Sequence, residues 1–130
     1  MTVEKRAHSA PPLHRTLFQG ALWVSLAVIS YLAFTPLEMP GVSGINDKLA
    51  HLLAFIHLAL LADFSWPETP WNSVKFFLLL GYGLLIEIIQ AFLPLRLFSL
   101  FDLSADALGL IIYSLTIPWL MRYQLFKSLR

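Results

Sequence analysis

Three short clusters carry the residue types that could do chemistry: Asp47, Lys48 and His51; Glu87 and Gln90; and Asp102, Asp106 and Gly109, with Arg96 between the last two groups. Asp47 and His51 are four apart, Lys48 and His51 three apart, and Glu87 and Gln90 three apart, so each pair shares one face if its segment is helical. Asp102, Asp106 and Gly109 make an i, i+4, i+7 stripe in which the glycine permits a close helix approach. A lysine and an arginine could hold a phosphate, the arginine bidentately. His51, Glu87 and Asp106 are candidates for general acid or base work. Asp47, Lys48, Gln90, Arg96 and Asp102 are the candidate substrate-binding residues. Ser99 and Ser104 stand nearby but lack a triad-like pattern, and the absence of cysteine excludes thiolate chemistry and disulfides.

The elements that must position these groups are apolar. Of 130 residues, 58% are hydrophobic and 13% charged, which leaves too little polar surface for a soluble domain of this size. The formal net charge of +1 lacks the dense basic face that nucleic acid requires. Four membrane-spanning helices are predicted, at about 17–35, 47–64, 73–93 and 102–121, within a single domain covering 1–130. The first runs 19 residues without a charge and stops at Pro36. At about 1.5 Å per residue it nearly covers a hydrocarbon core of ~30 Å. It is too long for a signal-peptide core and no small-residue cleavage site follows. Asn46 is the expected N-cap of the second span. Pro94 stops the third, and Pro118 falls near the end of the fourth, where neighbouring groups can satisfy the freed carbonyl.

Orientation follows from the flanking basic residues. Lys5, Arg6, Arg15, Lys75, Arg122, Lys127 and Arg130 fall on one side and only Lys48 and Arg96 on the other, seven against two. Both termini are therefore expected in the cytoplasm, with Trp66, Trp71, Trp119 and Tyr123 forming an aromatic belt there. This places all eight candidate residues at one depth, in the outer leaflet. Leu95 to Phe101 alternates bulky apolar residues with Arg96 and Ser99 and is expected to lie in the interface before the fourth span. Ser99 and Asp102 fit a weak capping box.

Each group also has a plainer reading. Asp47, Lys48, Arg96 and Asp102 can be interfacial charges that snorkel or cap helices. Glu87 and Asp106 lie deeper, where an ionised carboxylate costs on the order of 2–3 kcal/mol, so each should face the bundle and find a partner. Gln90 is expected to support rather than react. His57 is read as a satisfied interior histidine and Asp63 as a solvated residue near the cytoplasmic end. A divalent-ion variant would use His51, Glu87, Asp102 and Asp106, but these lack a compact spacing such as H-E-x-x-H, and no metal or other cofactor is assigned.

The order Asp47-Lys48-x-x-His51, Glu87-x-x-Gln90, Pro94-x-Arg96, then Asp102, Asp106 and Gly109 resembles the VanZ-like family over roughly residues 45 to 113. The family usually has Asn where Asp106 stands and often a second glycine where Tyr113 stands. The first departure adds a potential negative charge; the second weakens the case for a tight glycine-mediated helix contact. The resemblance implies a bacterial inner (cytoplasmic) membrane protein of the cell envelope, in a family whose name-giving member is linked to teicoplanin resistance. It supplies no agreed reaction.

The function expected from these readings is binding or modification of the anionic head group of an outer-leaflet lipid or lipid-linked envelope precursor. The alternative is a non-enzymatic accessory or scaffold protein whose polar residues form an interhelical network. The expected partners are membrane lipids or a lipid-linked precursor and not nucleic acid; a homo-oligomer stays open, and no GxxxG pair argues for one. A transporter fits less well, because only His57 and Asp63 continue the polar path toward the cytoplasmic side.

Overall fold

The computed structural model describes residues 11–35, 45–94 and 97–129. Among them there are helices and connecting turns but no strand. In chain order the helices are α1 (Leu13–Phe34), α2 (Ile45–Ser65), α3 (Ser73–Ala91), α4 (Leu100–Leu120) and the short α5 (Gln124–Ser128). The first four are long and apolar enough to cross a membrane.

Local chemistry sets their ends. Helix α1 stops at Phe34, one residue before the pre-proline position Thr35, where the α conformation is disfavoured. Asn72 caps α3, its side chain accepting from the Lys75 amide at 3.0 Å, and Ser99 caps α4, its hydroxyl accepting from the Asp102 amide at 3.2 Å. Pro118 lies in the last turn of α4 without ending it. Asn46, the expected cap of α2, sits instead inside its first turn. Helix α1 begins four residues before the predicted boundary because His14 and Arg15 continue the helix past the apolar run, Arg15 pairing with Glu68 at 2.7 Å.

Helix α2 is the central element: it packs against α1, α3 and most extensively α4, and it contributes Phe55, Leu58, Ala59 and Leu61 to the core. Helix α1 is peripheral. It is apolar almost all round yet mostly exposed, with Trp23, Val24 and Tyr31 facing outward, as do Phe77 and Leu78 on α3 and Leu115 on α4. That is far more exposed apolar surface than a monomeric soluble protein usually carries. Consecutive helices run antiparallel, so the start of α1 meets the end of α2 through the bond from Gln19 to the Ser65 carbonyl at 3.0 Å. The ring contact of Phe64 with Phe126 brings α5 to the same end. The opposite end collects the starts of α2 and α4 and the finish of α3.

Candidate functional site

At that opposite end, α2 and α4 approach unusually closely. A Cβ built on Gly109 would stand 2.5 Å from the Leu52 carbonyl oxygen, a backbone atom that cannot move aside alone. The absence of a second glycine at Tyr113 does not prevent this contact, because Tyr113 points into a separate buried pairing at the far end. Gly83 on α3 makes the second accommodation. A Cβ there would lie 2.7 Å from Asp106 Oδ2 and 3.0 Å from the Phe55 ring, so the missing side chain is the space the Asp106 carboxylate occupies. In the sequence Gly83 counted only as a glycine without a GxxxG partner; the available signal was its position four residues before Glu87, on the same helical face.

This packing sets His51 against Asp106. Nδ1 of His51 lies 2.8 Å from Asp106 Oδ1. Asp106 is 1% exposed, whereas the His51 side chain retains 21% exposure. An ionised Asp106 can only accept, so Nδ1 carries the proton, and in a neutral His51 Nε2 then holds the free lone pair. Nε2 lies 3.9 Å from Asp102 Oδ2, too far for a hydrogen bond. Lys48 Nζ approaches Asp102 Oδ1 at 3.6 Å and hangs 5.8 Å above the Phe101 ring. Asp47 completes the group: ligand-capable atoms of Asp47, His51 and Asp102 all fall within 4.8 Å of one another. Asp47 and Asp102 occupy first helical turns, where carboxylates favour the positive end of the helix dipole. Asp106 is a full turn deeper, and that explanation does not reach it.

Glu87 is fully buried and has a structural task. Its Oε2 accepts from the Ser99 amide at 2.9 Å. In a capping box that amide would be taken by the side chain three residues on, here Asp102. A carboxylate from α3 takes it instead, fastening the end of one helix to the start of the next and leaving Asp102 facing Lys48 and His51. Glu87 Oε1 is buried with no hydrogen-bond partner among the described residues. Gln90 faces away from the group, its amide donating to the Ala33 carbonyl at 2.9 Å and securing the last turn of α1.

Of the expected site residues, the fold thus gathers Asp47, Lys48, His51, Asp102 and Asp106, puts Glu87 alongside and turns Gln90 toward α1. Arg96 lies outside the described residues, as do Lys5, Arg6 and Arg130 among the charges used for orientation.

The other end differs from expectation. Asp63 is not solvated: it is fully buried, with Tyr113 donating to Oδ2 at 2.7 Å and Lys75 Nζ 4.0 Å from Oδ1. Lys75 also donates to the carbonyl of Asp63 in the last turn of α2 and to those of Trp66 and Thr69 in the turn that follows. Trp71 reaches from the α2–α3 turn to Ser114 Oγ at 2.9 Å, closing α4 over the pair. His57 is exposed on the α2 surface rather than interior, its Nε2 lying 3.0 Å from Ser25 Oγ on α1.

Fold and cluster together define a small all-helical protein with four helices of membrane-crossing length and a His–Asp pair at one end. No family model matches the chain. An uncharacterized protein of Schizosaccharomyces pombe is 36% identical over 94 residues, covering 68% of this chain and 56% of that protein. The chain therefore spans little more than half the length of that relative. No solved structure matches.

Proposed function

We propose that this chain is a membrane protein whose His51-centred cluster lies at head-group depth and binds, and through His51 exchanges protons with, the anionic head group of a lipid or lipid-linked precursor. The observation that carries this reading is the His51–Asp106 pair. A buried carboxylate fixes one imidazole nitrogen while the ring stays partly exposed, the arrangement that orients a histidine for proton transfer. Lys48, 43% exposed at its side chain, can swing from Asp102 to a phosphate. Glu87, committed to the Ser99 amide, and Gln90, committed to Ala33, are positioning residues in this account.

Four apolar helices ending in one polar group support the membrane setting. The lysine and arginine distribution supports cytoplasmic termini, with the cluster in the outer leaflet. The order of the short motifs from Asp47 to Gly109 supports a VanZ-like assignment, and with it a bacterial inner membrane and the context of glycopeptide resistance. That support is the resemblance alone, since the relative found is from Schizosaccharomyces pombe.

The structural-network reading is favoured by one observation, the cross-helix bond of Glu87 to the start of α4. Native mass spectrometry of lipids co-purifying in mild detergent with the wild type and with Lys48→Ala separates the two. Loss of a defined anionic lipid from an intact variant supports the site. The same bulk lipids in both would leave the interhelical network as the better account.

A further inference from the structure

The described cluster holds four carboxylates, Asp47, Glu87, Asp102 and Asp106, against one lysine and one histidine. An anionic head group entering such a site would meet more negative than positive charge. Beside it, Glu87 Oε1 is fully buried without a hydrogen-bond partner among the described residues. A carboxylate oxygen buried this way is costly when ionised unless positive charge stands nearby.

We propose that Asp47, His51 and Asp102 bind a divalent transition-metal ion of the zinc or manganese class, through His51 Nε2 and one oxygen from each aspartate. Asp106 acts behind the ligands, holding Nδ1 so that the Nε2 lone pair faces the ion, as metal-ligating histidines are usually held by a second carboxylate. The 3.9 Å from His51 Nε2 to Asp102 Oδ2 is too long for a hydrogen bond. Two metal–ligand bonds of about 2.1 Å each span it. Among the described residues, Asp102 Oδ1 is buried without a hydrogen bond and meets only the Lys48 ammonium, at 3.6 Å, leaving Oδ2 to face His51 Nε2. One nitrogen and two oxygen ligands suit zinc or manganese better than magnesium or calcium, which take oxygen alone. The ligand set differs from the one expected from sequence: Asp106 is spent on Nδ1 and Glu87 on the Ser99 amide, and Asp47 takes their place. With Nε2 on the ion, His51 serves as a ligand and no longer exchanges protons with the head group; the ion would instead bridge the acidic cluster to a phosphate, and this last step rests on the head-group reading, whereas ion binding itself does not.

The test uses the 130-residue chain in mild detergent, stripped with a chelator, desalted, and titrated with Zn²⁺ or Mn²⁺ alone, with no lipid added. One ion per chain by elemental analysis, not displaced by excess Mg²⁺, is the expected result. Asp47→Asn and Asp102→Asn should each weaken binding at least tenfold, and Asp106→Asn about 10- to 100-fold through loss of the orienting carboxylate. Lys48→Gln should bind the ion at least as tightly as wild type, because it removes a competing cation, whereas the same change weakens head-group binding. Asp47 is partly exposed and makes no hydrogen bond among the described residues, so Asp47→Asn decides the matter even where a His51 variant fails to fold. Absence of a stoichiometric ion, or wild-type affinity in both aspartate variants, overturns the proposal and leaves the lipid experiment unaffected.

Discussion

Replacing Gly109 by alanine tests whether the close approach of α2 and α4 builds the site. The added Cβ would stand 2.5 Å from the Leu52 carbonyl oxygen, against 3.4 Å where ordinary contact begins, a shortfall of 0.9 Å. The Phe55 Cβ and the Ile56 amide lie only 3.3 and 3.4 Å away, so no neighbouring gap absorbs the methyl group. The helices must separate, and overpacking of this kind costs about 1–3 kcal/mol. That corresponds to roughly a 5- to 150-fold loss in the folding equilibrium. Gly81 is the matched control on α3: it is exposed, nothing lies within 4 Å of its built Cβ, and alanine there should be neutral or slightly stabilising. Reversible unfolding in mixed micelles, followed by tryptophan fluorescence, measures both. Because Asp106 lies one turn before Gly109, the variant should also loosen the His51–Asp106 pair. Equal stability of Gly109→Ala and Gly81→Ala would refute the packing argument.

Three further outcomes follow from the same geometry. Lys75→Met removes the cation beside buried Asp63 and three hydrogen bonds to the last turn of α2 and the turn after it, and should destabilise by about 3–5 kcal/mol in the same unfolding assay. Glu87→Ala should raise hydrogen exchange at the Ser99 amide and through the first turn of α4, while Glu87→Gln, which keeps an acceptor, should stay near wild type. Equal exchange in the two variants would remove Glu87 from its proposed fastening role. The cysteine-free sequence allows single-cysteine mapping: with both termini cytoplasmic, a cysteine at Asn46 should react with an impermeant maleimide outside intact cells, and one at Glu68 should not. The reverse pattern would invert the topology.

Much of the helix plan was legible in the sequence, because each long apolar run is bounded by proline or by capping residues. The grouping of polar residues at one end was legible too, since antiparallel connection puts the start of α2, the finish of α3 and the start of α4 together. What each group bonds to was not. Glu87 finds the Ser99 amide, Gln90 the Ala33 carbonyl and Asp63 the Tyr113 hydroxyl only after the helices are rotated about their axes and packed. Periodicity within one helix gives its own face but not which neighbour that face meets. Asp63 shows the consequence: near the end of an apolar run it reads as solvated, yet Tyr113, fifty residues on, reaches it across α2 and α4. Gly83 was weighed only for a GxxxG pair for the same reason, as its missing side chain matters only because a carboxylate from α4 fills the space.

Crosslinking in the membrane tests the central claim most directly. Phe101 is 74% exposed, with its ring below Lys48, and Phe77 is 64% exposed toward the other end of the bundle. A photoreactive residue at each position, activated in native membranes, captures adjacent lipid for identification by mass spectrometry. An anionic lipid or lipid-linked phosphate should be enriched at position 101 over 77, and Lys48→Ala should abolish the enrichment. The same lipid distribution at both positions, or enrichment indifferent to Lys48, would contradict a head-group site at this end of the bundle.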